Sequence, residues 1–219
     1  MAKNIHLTFL GHSCVLVEIG VGDDATRLLL DPGNLSPALN DIGRVDAILV
    51  THGHPDHLDP DQVRRVTASE TVPLYGPADI AEQVDGLAVT FIPVESGEFE
   101  AAGVRIVATA GTHETLYPGF GLPVNVGYEI DGRVFAPGDA LSGPSDPVEV
   151  LLAPLAGPWM KASEGIDFIR AVQPSIVVPV HDAGLAPAHQ GLHRTLFTKF
   201  GPTDSTFTPL DVGQSITIR

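Results

Sequence analysis

At 219 residues the chain is long enough to bury a sizeable apolar core without disulfide or metal staples, so residues 1–219 are read as a single domain. Its 43% hydrophobic and 18% charged residues leave no stretch polar enough for disorder, and no apolar run reaches the roughly 18–20 residues of a membrane span. A formal net charge of −15 sets phosphate backbones against net repulsion, which disfavours nucleic acid and leaves a small molecule as the expected substrate.

The first ten residues lack the basic flank, long apolar centre and small-residue cleavage site of a secretory signal. Cys14 is the single cysteine, so no intrachain disulfide can form, and the cytoplasm is the expected location. A homo-oligomer stays open.

In chain order, the short β-type runs 5–10, 14–19 and 27–30 are separated by glycine-containing turns and read as an antiparallel meander. Run 45–50, apolar except for Asp46, reads as a strand that stops at Thr51, where a polar cluster begins. After the cluster, 60–67 has helix-start chemistry, with Asp59 as N-cap and Pro60 at the first helical position. A short helix over 77–84 precedes strands at 88–92, 104–109, 124–130 and 134–136. The last two are joined across Asp131-Gly132, a two-residue hairpin signal. Strand 148–153, helix 163–172, strand 176–180, helix 188–200 and strand 215–218 complete the chain. A meander, then alternating strands and helices, then a strand predicts an α+β fold of two sheets with helices outside them, a four-layer αβ/βα sandwich.

His52-Gly53-His54-Pro55-Asp56-His57 puts three imidazoles and a carboxylate within six residues, directly after a buried strand. Such crowding is costly unless something cationic binds it, and imidazole nitrogen with carboxylate oxygen is the donor set that zinc and its neighbours prefer. One loop cannot complete two metal shells, so further donors are needed at other strand ends. His113 follows strand 104–109, Asp139 follows Pro137-Gly138, and His181 ends strand 176–180. Gly138 permits the backbone turn that would bring the Asp139 carboxylate close.

The ordered set, His-x-His-x-Asp-His, a later His, a Gly-Asp and a terminal His, resembles the metallo-β-lactamase superfamily. Gly11-His12-Ser13-Cys14, Asp31-Pro32-Gly33 and Val178-Pro179-Val180-His181 resemble its branch of small metal-dependent hydrolases typified by the bacterial ascorbate-6-phosphate lactonase. The resemblance implies that His52, His54 and His113 hold one metal and Asp56, His57 and His181 a second. It makes Asp139 the bridge between them, with a shared water or hydroxide completing it. Two divalent ions are implied, zinc first, with manganese or iron as alternatives. Leu58-Asp59 departs from the glycine-containing sequence of the lactamase and glyoxalase branches. Ala140 stands where a hydroxyl residue is common after the Gly-Asp.

Two cations roughly 3.5–4 Å apart make hydroxide available near neutrality and stabilise the oxyanion it creates. The expected reaction is therefore hydrolysis of a small-molecule lactone, ester, amide or phosphodiester. Asp139 would act as the bridge, and Asp56 would act as ligand and orient the nucleophile or take its proton. Two alternatives remain. The same scaffold holds iron for redox chemistry in persulfide dioxygenases and flavo-diiron proteins, and a metal-binding module without turnover is the other.

Around this set, Asp31 and Asp59 are placed to accept from metal-bound imidazoles, with a turn and the N-cap as their ordinary readings. His12 either lines the pocket or bonds locally. Cys14 reads as a buried strand residue. His189 and His193 share a helix face, which could hold a metal or supply an acid to the pocket, or be only a polar face. Trp159 and Met160 either wall the pocket or pack in a core or subunit contact. Segments 116–123 and 182–187 are the expected pocket loops.

Overall fold

The computed structural model describes residues 3–68 and 70–219. β1 (Ile5–Gly11), β2 (Cys14–Ile19) and β3 (Thr26–Leu30) form the expected antiparallel meander. β4 (Ala47–Leu49), β5 (Val72–Gly76) and β6 (Val89–Pro93) then add in parallel to β3. Between them lie α1 (Pro60–Val66) and the short α2 (Ala81–Val84), which a single 3₁₀ turn at Ala78–Ile80 introduces.

β7 (Gly97–Ala101), β8 (Val104–Thr112), β9 (Val124–Ile130) and β10 (Val134–Ala136) form an antiparallel run. β11 (Val150–Pro154), β12 (Ile176–Val180) and β13 (Thr206–Phe207) extend it in parallel, with α3 (Ala162–Val172) and α4 (Pro187–Phe200) as crossovers. β14 (Ser215–Ile218) returns to β1. Among the described residues, two seven-stranded sheets result.

Period-two alternation with both faces apolar stacks these sheets and helices. Leu28 and Leu30 of β3 and Val150 and Leu152 of β11 share one core between the sheets. Leu29 of β3 faces the other way and joins Leu58, Val63, Ile80 and Val84 under α1 and α2. Leu151 of β11 joins Ile166, Ile169 and Phe197 under α3 and α4. Three cores separate four layers, the expected αβ/βα sandwich.

Three strands escaped the sequence reading. Pro73 and Gly76 disguise β5, yet β4 pairs only with Leu74 and Tyr75 and so leaves Pro73 without a partner on that side. β7 reads Gly-Glu-Phe-Glu-Ala and lies at a sheet edge, where outward carboxylates discourage further pairing. β13 spans two residues, too few for any periodicity.

Candidate metal centre

Strand direction gathers the predicted donors. β1 runs with β3 through the antiparallel β2, and β4 is parallel to β3. In the second sheet β8 runs with β10 through the antiparallel β9, and β11 and β12 follow β10 in parallel. The loops leaving these seven strands carry His12, Asp31, 52–57, His113, Asp139, Trp159 and His181. Backbone bonds join the two edges: the His181 N–H donates to the His12 carbonyl at 2.8 Å, and the Val126 N–H to the Thr51 carbonyl at 2.8 Å.

Locally, the loop 52–58 is pinned to the end of β3. The Asn34 N–H donates to the Pro55 carbonyl, and the Asp59 N–H to the Pro32 carbonyl, each at 2.9 Å. Gly33 makes this approach feasible, because a Cβ there would lie 1.8 Å from the Asp56 carbonyl oxygen. Gly138 has φ +63°, and a Cβ there would lie 2.3 Å from Asn125 Oδ1. That oxygen accepts from the Asp139 N–H at 3.1 Å. His12, Asp31 and His181 themselves have φ of 51°, 42° and 58°. Left-handed backbone at three non-glycine residues is strain of about 1–3 kcal/mol each, concentrated where the side chains converge.

All seven predicted donors meet there, in two groups. One contains His52, His54, His113 and Asp139, and the other contains His12, Asp56, His57 and His181, with the donor atoms of each group within 4.8 Å of one another. Asp139 touches both: Oδ1 lies 3.1 Å from His57 Nε2, and Oδ2 lies 3.2 Å from Nε2 of both His113 and His181.

The histidines are held in the tautomer a metal needs. His57 donates Nδ1–H to Asp31 Oδ2 at 2.8 Å, His113 to the Glu114 carbonyl at 2.6 Å, and His181 to the Ala156 carbonyl at 2.5 Å. The Thr51 hydroxyl donates to Asp31 Oδ2 at 2.8 Å, so its oxygen accepts from His52 Nδ1 at 3.1 Å. With Nδ1–H committed, Nε2 is the atom each ring turns inward, and giving up any proton there offers its lone pair to a cation. His54 turns Nδ1 to within 3.1 Å of His52 Nε2. Among the described residues, His113 Nε2, His181 Nε2 and Asp139 Oδ1 are buried without a hydrogen-bond partner. Buried polar atoms are rarely left so, and convergent lone pairs on imidazole and carboxylate are the donor set of a borderline cation. The residues fit a metal.

Charge points the same way. Burial disfavours protonation of His57 and His181, yet the adjacent Asp139 and Asp31 hold His57 well above the ordinary imidazole range, and Asp139 and Asp56 push His181 up to about 9. Burial alone would raise the Asp56 carboxyl, but the hydrogen bond from His12 and the adjacent His181 and His57 imidazoles hold it well below the usual carboxylate range. The carboxylates thus draw positive charge into the site.

The residues with open readings divide. Asp31 accepts from His57, as anticipated. Asp59 instead caps α1, accepting from the Asp61 N–H at 3.2 Å. His12 takes part in the site: its Nδ1 accepts from the Ala183 N–H at 3.2 Å, so in the neutral ring Nε2 carries the proton and donates it to Asp56 Oδ2 at 3.1 Å. Burial, the largest effect on this imidazole, keeps it neutral. His12 therefore steadies Asp56 without offering a lone pair. Trp159 donates Nε1–H to Asp139 Oδ2 at 2.9 Å, a role that sequence spacing had no means to signal. Met160 and His193 line a cavity of about 470 Å³ beside Asp56 and His181. His189 is exposed, and Cys14 is buried in its strand. Of the two expected pocket loops, 182–187 contributes Gly184 and Leu185 to the cavity, whereas 116–123 contributes nothing.

This arrangement has relatives. The family described as the Beta-lactamase superfamily domain matches residues 6–181, a span that contains every donor named above. The chain belongs to this superfamily. It is 38% identical to Protein Rv0786c of Mycobacterium tuberculosis, over 94% of this chain and 97% of that one. It is also similar to the UPF0173 metal-dependent hydrolase Ta0764 of Thermoplasma acidophilum, at 26% identity over 82% of this chain and 84% of that one. The structure of Igni18, a metallo hydrolase from Ignicoccus hospitalis, superimposes with a TM-score of 0.72 at 20% identity, covering 99% of both chains. At that identity the likeness is one of fold, the metallo-β-lactamase fold.

Proposed function

We propose that this chain is a dinuclear metal-dependent hydrolase of a small-molecule ester, lactone, amide or phosphodiester. His52, His54 and His113 would hold one ion, Asp56, His57 and His181 the other, and Asp139 would bridge them. The observation that carries the reading is the set of inward lone pairs on His52, His57, His113 and His181, each fixed by a partner behind the ring. The names of metal-dependent hydrolase relatives support it.

Bound there, divalent ions would acidify a water and polarise the scissile carbonyl or phosphoryl group. The chain's own residues prepare that chemistry. Asp31 makes His57 a stronger donor and keeps it from turning. His12 holds one Asp56 oxygen, which fixes the carboxylate plane at the edge of the cavity. Trp159 holds Asp139 Oδ2 and so orients that carboxylate. Asp56, with a side chain 26% exposed against 3% for Asp139, is the carboxylate that faces the cavity and can accept a hydrogen bond that orients the nucleophile there.

The test is metal content by mass spectrometry, followed by hydrolysis assays on ester, lactone, amide and phosphodiester panels. Chelation should abolish turnover, and zinc, manganese or iron should restore it. Unchanged turnover in fully metal-free protein would sink the mechanism. A visible iron band with oxygen uptake would move the chain to the redox alternative.

A further inference from the structure

The cavity beside Asp56 and His181 has walls that describe what enters it. Leu35, Ala156, Pro158, Met160 and Leu185 supply apolar surface, and His12, Asp56 and His181 form its polar floor. Among the described residues that line it there is no lysine or arginine. Arg194, one residue along α4 from the lining His193, instead pairs with Asp182 at 3.3 Å. A phosphate or carboxylate tail on a substrate would therefore enter without a cationic side chain to receive it, in a chain of net charge −15. Stripping such a group of water without a partner is unfavourable.

His193 is the polar exception on the wall. Its Nδ1 donates to the Leu155 carbonyl at 3.0 Å, and the ring stacks on Phe197 at 6.5 Å between centroids. With Nδ1–H committed, Nε2 is the nitrogen left for a ligand, and in the neutral ring it only accepts. A cavity of this size, mostly apolar with one placed acceptor, is typical of sites that bury a small molecule and read one feature of it.

We propose that this cavity selects an uncharged ester, open or cyclic, with an apolar body carrying one hydrogen-bond donor, and that His193 reads that donor. This rests on the hydrolase reading above and narrows it away from phosphorylated substrates. Hydrolysis adds water across the acyl C–O bond: oxygen from water joins the acyl carbon, the alkoxy oxygen leaves with a proton, and no oxidant is needed.

The test uses zinc-loaded protein and γ-lactones of increasing alkyl length, each with a chain-hydroxylated twin and a phosphorylated counterpart. Burying each added methylene should raise kcat/KM about fourfold until the cavity is filled. The phosphorylated member should be at least about tenfold poorer than its hydroxylated twin, and Leu35→Arg should narrow or reverse that gap, since Leu35 lines the rim and is 46% exposed. His193→Phe, which keeps the stacking on Phe197, should raise KM about tenfold for hydroxylated lactones and much less for their twins. A preference for the phosphorylated member, no dependence on chain length, or an equal effect of His193→Phe on both twins would overturn the proposal.

A second readout separates this inference from the hydrolase reading. Trp159 is the single tryptophan and lies at the site, so its fluorescence reports binding of the matching alkyl ketones, which have no hydrolysable bond. If no lactone is turned over, the hydrolase reading loses its ester branch. Ketone affinity that rises with chain length and weakens with a phosphate would still uphold the cavity's selectivity, and the opposite order would overturn it.

Discussion

The two groups of donors differ in what stands behind them and what lies in front. His52 and His113 lean on neutral partners, the Thr51 hydroxyl and the Glu114 carbonyl. Behind His57 stands the Asp31 carboxylate, and behind Asp56 the His12 imidazole. In front, Asp56 and His181 border the cavity, while His52 and His113 do not. A charged partner strengthens an imidazole donor more than a carbonyl does, and a donor at a cavity wall meets substrate first. On the proposed dinuclear reading, the first pocket would anchor its ion and the second would work on the substrate, with Asp139 shared.

Removing the shared element should erase the difference. Asp139→Asn takes a charge from both pockets and is expected to empty both of metal and lower turnover on the order of 10⁴-fold, the scale for losing one member of a catalytic unit. Mass spectrometry of the purified variant checks it, and metal retained in both pockets would contradict the bridging role. Asp31→Asn should separate the pockets instead. Affinity of the second is expected to fall about 10–100-fold, and that of the first, which Asp31 reaches only through the Thr51 hydroxyl, by less. Competition with a chromophoric chelator measures both sites, and equal weakening would contradict the difference between them.

Trp159→Phe deletes a hydrogen bond to a carboxylate, worth about 1.5–3 kcal/mol when charge is involved. If Asp139 bridges as proposed, both affinities should drop together, by about tenfold or more. The smallest effect expected is from His12→Asn. Asparagine tolerates the left-handed backbone at this position but is too short to replace the Nε2–H on Asp56. A loss of about tenfold confined to the second pocket is anticipated, with an unchanged melting curve by circular dichroism. A large fall in melting temperature would mean that His12 holds the fold and not the carboxylate.

Much of this was legible in one dimension because the donors sit on strand ends. The run 52–57 is conspicuous by composition alone, and His113, Asp139 and His181 stand out because each ends or follows an apolar strand. The Asp59 cap was equally readable, and so was a hairpin at Asp131-Gly132, although its connection takes three residues, 131–133, and not two. Trp159 and His12 were not. Trp159 meets Asp139 across 20 positions and His12 meets Asp56 across 44, and neither partner leaves a local mark. β5 was hidden for a related reason: Pro73 argues against a strand until its neighbours are known.

By itself, then, the order of residues determined the layered sandwich, through alternation that makes both faces of each sheet apolar, and determined which residues supply imidazole and carboxylate. Tertiary structure decided everything that depends on direction. Whether a histidine offers Nε2 or Nδ1 follows from what lies behind its ring, and for His57 that is Asp31, 26 positions away. Whether the cavity greets a charged or an uncharged molecule follows from Leu35, Met160, Leu185 and His193 meeting at one mouth. Those four are scattered along the chain, and only the packing of α4 and the loops against the sheet edge brings them there.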